Sequence, residues 1–471
     1  MPLKDVPLKD VPLASSPVLA DGVFLDELFD LDYREVSMRV LSDPEIYQLE
    51  LDRLFPRTWN IVAHEDEIRL PGDYVLRYVG EDEIVVSRAE DGSITAALNV
   101  CTHRGARLCR YEKGNALRFT CPYHAWAFRP DGRFLGAPIA REKMHGELRS
   151  KEELSLQSAR VEQYAGMIFV NFDLDAPSLR DTLGPMTWYW DLMFDRTSAG
   201  MTVIGPPQRF TIRANWKTAG EQFAGDIFHT LSLHKSMQEL GMLSTDGPVQ
   251  EPAMAGTSAA HRGSFVRCFD VEEEHYLNAL KGRDLKSLSA VERLRMQPPP
   301  GMSVDMVDQI VQKFSPEQVE MLAKRPPQVG SFFPNIGGIV MHQPLPDGTL
   351  GAFISWRTWV PKGPDRFEVM SWTVAERDSS PELRENVRMF TAATFGVSGF
   401  VESDDSDIWP LQQKSARGAL GRRQKLRYQT ITPEGKPEGW PGPGDIYDGF
   451  PKDNTQWAFW TEYLGHLTGR L

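Results

Sequence analysis

The chain has 471 residues, of which 41% are apolar and 25% charged. That length exceeds what one core encloses and implies two domains, while the composition excludes disordered, collagen-like and coiled-coil chains. Its 52 basic and 65 acidic residues leave a net charge of −13, which argues against a nucleic-acid-binding or membrane-surface protein.

No stretch approaches the roughly 18 apolar residues of a spanning helix. The N-terminus, Met1-Pro2-Leu3-Lys4-Asp5, is charged and proline-punctuated, so the chain is expected to be cytoplasmic. Pro-Leu-Lys-Asp-Val follows twice in succession and reads as an extended arm without an assigned role. Four cysteines are too few for a disulfide scaffold and read as ligands, reactive thiols or core filler. Cys101, Cys109 and Cys121 cluster, and Cys268 stands alone.

In chain order, Asp43-Pro44 opens a predicted helix, with Tyr47, Leu51, Leu54 and Phe55 at helical spacing. From Gly72 the period changes to two. Tyr74–Val79, Ile84–Arg88 and Ile94–Val100 read as strands, with Asp91-Gly92 turning between the last two. Pro130-Asp131-Gly132 marks another hairpin, and Met167–Phe172 a further strand. Residues 58–178 thus form a predicted small all-β domain. Residues 238–300 have weak periodicity and are expected to be irregular, a candidate cover for an active site. Ser315-Pro316-Glu317-Gln318 is a capping box opening a helix. Phe353–Val360 and Phe367–Val374 are strand-like around a turn at Pro361–Asp365, and Thr432–Gly444 is a loop.

Two constellations carry chemistry. The first is Cys101-Thr102-His103, then seventeen residues, then Cys121-Pro122-Tyr123-His124. Two thiolates and two imidazoles from turns between strands suit a tetrahedral zinc or a Rieske [2Fe–2S] cluster. Each pair here mixes one cysteine with one histidine, unlike a zinc finger of the Cys2His2 type, and such pairs can place both cysteines on one iron and both histidines on the other. Gly105, Pro122, Trp126 and Phe128 would supply close backbone approach and an apolar cover. Cys109 fits neither pair and reads as a buried thiol nearby.

Cys101–Arg104 and Pro122-Tyr123-His124-Ala125-Trp126 resemble the Rieske signature of ring-hydroxylating oxygenase large subunits. One departure is Ala125, where that family usually has glycine. The resemblance implies an α+β fold: the small all-β Rieske domain over 58–178, and a larger α+β catalytic domain with an antiparallel sheet and helices over 179–471. Residues 1–57 would form an N-terminal arm and helix belonging to the catalytic domain.

The second constellation follows Asn215-Trp216-Lys217 and comprises Asp226, His229 and His234. The histidines, five apart, can share one metal only if a helix ends or bulges between them. Two imidazoles and a carboxylate, with open positions, make the facial triad of a non-haem Fe(II) oxygenase. The segment also resembles the iron-binding stretch of the same oxygenases. That resemblance makes His229 and His234 ligands, and Asp226 the carboxylate bridging the iron histidine to a Rieske histidine, here His124, of a neighbouring subunit. It implies a trimer, α3 or, with a small β subunit, α3β3. Phe395-Gly396 through Asp405 resembles the family's closing segment, which puts the third ligand at Asp405. Without the resemblance, Asp404 and Asp405 are not separable, and Glu402–Asp407 reads equally as a solvated acidic loop.

The resemblance places Gln222, Phe223, Phe395 and Val401 along the substrate pocket, where a valine rather than a bulky aromatic leaves room for a bicyclic substrate. An aromatic carboxylate would require an arginine there, and Arg357 is expected on a sheet face instead. The implied protein is the terminal oxygenase of a naphthalene- or biphenyl-type dioxygenase of aromatic hydrocarbon catabolism. Electrons would come from NADH through a separate reductase, with or without ferredoxin. A Rieske monooxygenase or demethylase, a non-catalytic Rieske electron carrier and a zinc-stabilised binding protein are the competing expectations.

Overall fold

A computed structural model describes residues 16–138, 149–239, 256–276, 279–344, 350–449 and 452–470. The N-terminal repeat and part of the stretch expected to be irregular lie outside the described residues. The described chain forms two compact units, residues 50–182 and residues 16–49 with 183–470. The predicted first helix is Pro44–Arg53, and Asp43 Oδ1 accepts from the Glu45 amide at 2.9 Å.

The smaller unit is built of antiparallel sheets. One runs in the order Ile94–Leu98, Asp82–Arg88, Asp73–Val79 and Lys113–Asn115. A second joins Arg160–Tyr164, Met167–Asn171 and Asn60–His64. The third is a short meander of Phe119–Thr120, Ala127–Phe128 and Phe134–Gly136. Gly92 and Gly132 turn their hairpins at φ 86°, a conformation glycine adopts without steric cost. Ile94–Leu98 stops before Val100: Asn99 N still donates to Glu83 O at 2.9 Å, and Asn99 is the last residue of this run bonded to Asp82–Arg88. Its side chain bonds the backbone of Cys109 in both directions, at 2.8 Å each. Cys101, Cys109 and Cys121 belong to one core with Leu76, Val85, Phe119, Trp126 and Phe128.

The larger unit is α+β, organised on a nine-stranded antiparallel sheet. Its main order is Met201–Val203, Phe367–Glu376, Leu350–Pro361, Ile336–Pro344, Pro327–Phe332, Ser264–Phe269, Gly256–His261 and Asp445–Asp448. Gln208–Ile212 also pairs with Phe367–Glu376. On one face the helix Thr187–Phe194 packs Trp190 on Phe332 and Trp356, with ring centres 4.0 and 4.7 Å apart. The other face carries two register rows that matter for the site. Ala260, Phe265, Ser331, Gly337 and Arg357 form one, and Ser258, Arg267, Val329, Ile339 and Ser355 the next. The helix Trp216–Phe223 lies over the first row: a Cβ on Gly337 would sit 2.9 Å from the Phe223 ring.

The expectation of irregular structure over 238–300 is corrected in part. Gly256–His261 and Ser264–Phe269 form a hairpin of the main sheet, turning at Arg262 and Gly263 with φ 47° and 70°. Gly-Thr-Ser-Ala-Ala hides it from a periodicity reading, because a strand buried on both faces with small residues shows no alternation. Ala290–Met296 is a helix opened by a Ser289–Glu292 capping box. The predicted box at Ser315 opens Pro316–Lys324.

Candidate metal centres

The two Rieske-type loops are near copies. Cys101 N donates to Ala106 O and Gly105 N to Cys101 O, while Cys121 N donates to Trp126 O and Ala125 N to Cys121 O. These bonds close at 2.8–2.9 Å and force positive φ at Gly105 (71°) and Ala125 (53°). The alanine that replaces the family's glycine therefore stands in a left-handed conformation that disfavours a Cβ. Both cysteines are buried and their thiols adjoin each other, and burial is the main reason the Cys101 thiol is pushed up to about 11. The histidines are half-buried, with rings 4.7 Å apart and nearly perpendicular. Trp126 stacks on His103 at 4.6 Å and 7°. Two touching thiols inside and two imidazoles outside fit a cluster with sulfur ligands on the buried iron. Cys109, pushed up to about 12 mainly by burial, lies in the core beneath.

In the larger unit Asn215 caps the helix Trp216–Phe223, its side chain accepting from Lys217 N at 3.1 Å. The helix ends because Gly225 adopts φ 129° hard against Thr455, where a Cβ would lie 2.0 Å from Oγ1. His229 then sits on the single turn Phe228–Leu231, and His234 directly before the helix Lys235–Glu239. This break satisfies the spacing argument: the two Nε2 atoms are 3.1 Å apart. Asp405 Oδ1 completes the group, 3.4 Å from His234 Nε2 and 3.8 Å from His229 Nε2. His229, His234 and Asp405 are the group that could hold a metal ion among the described residues.

Asp405 comes from a long helix, Phe400–Arg417, rather than a solvated loop, and is 2% exposed. Asp404 turns away from that point. Its Oδ2 lies 3.2 Å from His234 Nδ1 and accepts from Ser236 Oγ at 3.2 Å. Burial lowers the affinity of His234 for a proton, but Asp405 and Asp404 outweigh it and raise its pKa. A cation would occupy the place of that proton. Asp226 Oδ1 accepts from His229 N at 3.3 Å and lies 3.7 Å from its Nδ1, on a partly exposed side chain.

Gln222 reaches the candidate metal centre directly. Its amide donates to Asp405 Oδ1 at 2.8 Å, its carbonyl accepts from Trp409 Nε1 at 2.7 Å, and it lies 3.4 Å from His229 Nε2. Trp409 and Ser236 carried no sequence signal, since single tryptophans and serines are common in helices. Phe223 packs on Trp359 at 4.6 Å and Phe395 on Phe353 at 5.4 Å, while Val401 is buried. Arg357 lies on the sheet face as expected, buried between Phe223 and Phe395 and paired with the equally buried Glu402 at 2.8 Å.

Comparison with known proteins adds identity to this geometry. Residues 58–160 match the Rieske [2Fe-2S] domain, and residues 188–433 the ring hydroxylating alpha subunit (catalytic domain). The chain is 32% identical over 442 residues to the N,N-dimethyl phenylurea N-demethylase subunit alpha of Sphingobium sp. (strain YBL2), covering 93% of this chain and 92% of that one. It is 34% identical over 406 residues to a benzene 1,2-dioxygenase subunit alpha of Pseudomonas putida, covering 84% and 82%. Naphthalene 1,2-dioxygenase from Rhodococcus sp., solved with indole bound, superposes with a TM-score of 0.81 at 32% identity, covering 92% of this chain and 94% of that one. No described helix is long and apolar enough to cross a membrane. A Rieske domain and a non-haem iron catalytic domain on one chain, each with its donors in place, make this protein a member of the ring-hydroxylating oxygenase alpha-subunit family.

Proposed function

We propose that the protein is the terminal oxygenase subunit of a multicomponent aromatic-ring dioxygenase. Arene, O2, two electrons and two protons would give a cis-dihydrodiol, both oxygen atoms entering the product. The substrate class is a bicyclic or polycyclic hydrocarbon or an aromatic carboxylate. The observation that supports the reading is the convergence of His229, His234 and Asp405 into one three-donor group, on a chain 34% identical to a benzene 1,2-dioxygenase subunit alpha.

In this reading Cys101, His103, Cys121 and His124 hold the [2Fe–2S] cluster, and His229, His234 and Asp405 the mononuclear iron. When bound, these centres supply single-electron delivery and O2 activation. The chain's own residues do the rest. Gln222, anchored by Trp409, holds the Asp405 carboxylate, and Asp404 orients His234 through Nδ1. Asp226, which bonds the backbone of His229, would receive His124 of a neighbouring subunit, so that electrons would cross between chains of a trimer. A small β subunit would complete an α3β3 assembly, and NADH-derived electrons would arrive through a reductase and a ferredoxin.

Demethylation is the second reading, favoured by the phenylurea N-demethylase relative. Iron-loaded protein with a ferredoxin and reductase, given naphthalene under 18O2, tests the first. A cis-diol carrying two labelled oxygens supports it. Naphthalene left without a cis-diol, while an N-methylated arylurea is demethylated with release of one formaldehyde, replaces it with the second.

A further inference from the structure

Five arginines are buried among the described residues: Arg77, Arg196, Arg267, Arg293 and Arg357. Four are matched. Arg77 meets Glu67, Arg196 meets Glu376 at 2.8 Å, and Arg357 meets Glu402 at 2.8 Å. Arg293 donates to the carbonyls of Leu285 and Leu288, at 2.8 and 3.4 Å. Arg267 is the exception. It is 1% exposed, it has no carboxylate partner among the described residues, and its Nε and Nη2 are buried without a hydrogen-bond partner there. Its guanidinium carbon lies over the Phe269 ring, 3.4 Å from the ring centre.

A guanidinium keeps its proton in a protein, so this is a buried positive charge with unused donors. Burial without a partner is costly, and a chain gains nothing from it unless something supplies the anion. The register says where that anion would sit. Arg267 lies opposite Val329 on the row Ser258, Arg267, Val329, Ile339 and Ser355, on the sheet face away from Trp190. The adjacent row on that face runs under Phe223 and includes Arg357. Phe265, in the same strand and on the same face, would be 3.2 Å from a Cβ on Gly225, which leads to Asp226 and His229. Arg267 is therefore on the floor over which the iron-ligating loop and the aromatic walls are built.

We propose that Arg267 is the specificity residue of the substrate pocket and pairs with an aromatic carboxylate. The proposal rests on the reading of this site as an aromatic oxygenase and selects among its substrate classes. A carboxylate accepts two parallel N–H bonds from a guanidinium, and the Phe269 ring lies against the one offered here. Arg357 is not available for this role, since Glu402 already neutralises it.

The probes are naphthalene-2-carboxylate, naphthalene-2-carboxamide and 2-methylnaphthalene, bound to the iron-loaded oxygenase in equilibrium dialysis without an electron donor. The wild-type protein is expected to bind the carboxylate at least tenfold tighter than the amide. Arg267→Met weakens the carboxylate about 10- to 100-fold, as loss of charge-assisted bonds does, and leaves 2-methylnaphthalene unweakened. Arg267→Lys keeps part of the preference, and undiminished mononuclear iron content with unchanged near-ultraviolet circular dichroism certifies that the larger unit of both variants folds. Wild-type protein that prefers the amide or shows no preference overturns the assignment, as does carboxylate binding unchanged in Arg267→Met. Product analysis separates the two claims. Arg267-dependent carboxylate binding without a cis-diol product leaves Arg267 assigned and removes the dioxygenase reading. A cis-diol from the hydrocarbon without carboxylate binding does the reverse.

Discussion

Asp404 stands behind His234: its Oδ2 is 3.2 Å from Nδ1 of the imidazole whose Nε2 faces Asp405 at 3.4 Å. Two neighbouring aspartates on one helix thus address opposite nitrogens of a single ring. A carboxylate on Nδ1 fixes the tautomer that leaves Nε2 free for a metal and raises the basicity of the ligand. Asp404→Ala is expected to weaken mononuclear iron about 10- to 100-fold, the usual cost of losing such a partner. Asp405→Ala should remove that iron outright. Both variants should keep full Rieske absorption, so iron titrated against the cluster's visible spectrum separates the two roles.

Ala125 closes the second Rieske loop at φ 53°, where Gly105 closes the first at 71°. A left-handed alanine costs about 1 kcal/mol that glycine does not. Ala125→Gly should therefore stabilise the smaller unit by up to about 1 kcal/mol, partly offset by the greater freedom of glycine in the unfolded chain. Thermal unfolding followed through loss of the cluster's colour checks this, and a lower midpoint would contradict it.

Arg357 and Glu402 are both fully buried and tie the sheet to the helix that carries Asp405. Breaking such a pair from one side leaves an uncompensated charge and costs about 3–5 kcal/mol. Glu402→Leu is expected to show that loss in denaturant unfolding. Arg357→Met combined with Glu402→Leu should recover much of it, because neither charge then remains. A double variant no more stable than the single one would show that the pair acts through geometry at Asp405 rather than through charge.

The legible parts of this molecule were those written in short, rigid spacings. The mixed Cys/His pairs, Asp91-Gly92, and the Ser315 box each act within one turn, so the sequence alone carries them. The convergence of His229 with His234 was legible only as a condition, that the helix must break, and Gly225 against Thr455 is what breaks it. Asp404 and Asp405 differ by the 100° between successive helix residues, which no composition reveals. Arg267 was invisible because its strand, Ser264–Phe269, is buried on both faces and shows no polar–apolar alternation. Its meaning lies in the absence of a partner, a property of three dimensions.

Glu221 gives the larger unit a pH dependence of definite sign. It lies in the last turn of the helix beside Gln222, hydrogen-bonded to the Gln456 side chain and facing Asp226, Asp453 and the Tyr428 hydroxyl. Burial first, then the Asp226 charge, push its carboxyl from the ordinary 4.5 up to about 8, against the opposing hydrogen bonds from Gln456 and Tyr428. A carboxyl held protonated by the fold binds a proton that the unfolded chain releases. Its contribution to stability is therefore complete below about pH 4.5 and is lost as pH rises to about 8. Glu221→Gln keeps the shape and the hydrogen-bonding capacity but cannot ionise. The variant should unfold at a midpoint that changes less between pH 5 and 8 than the wild type's, with the gap widest near pH 8. Parallel midpoint curves across that range would show that Glu221 is ionised in the native protein, with Gln456 and Tyr428 as the donors that hold it so.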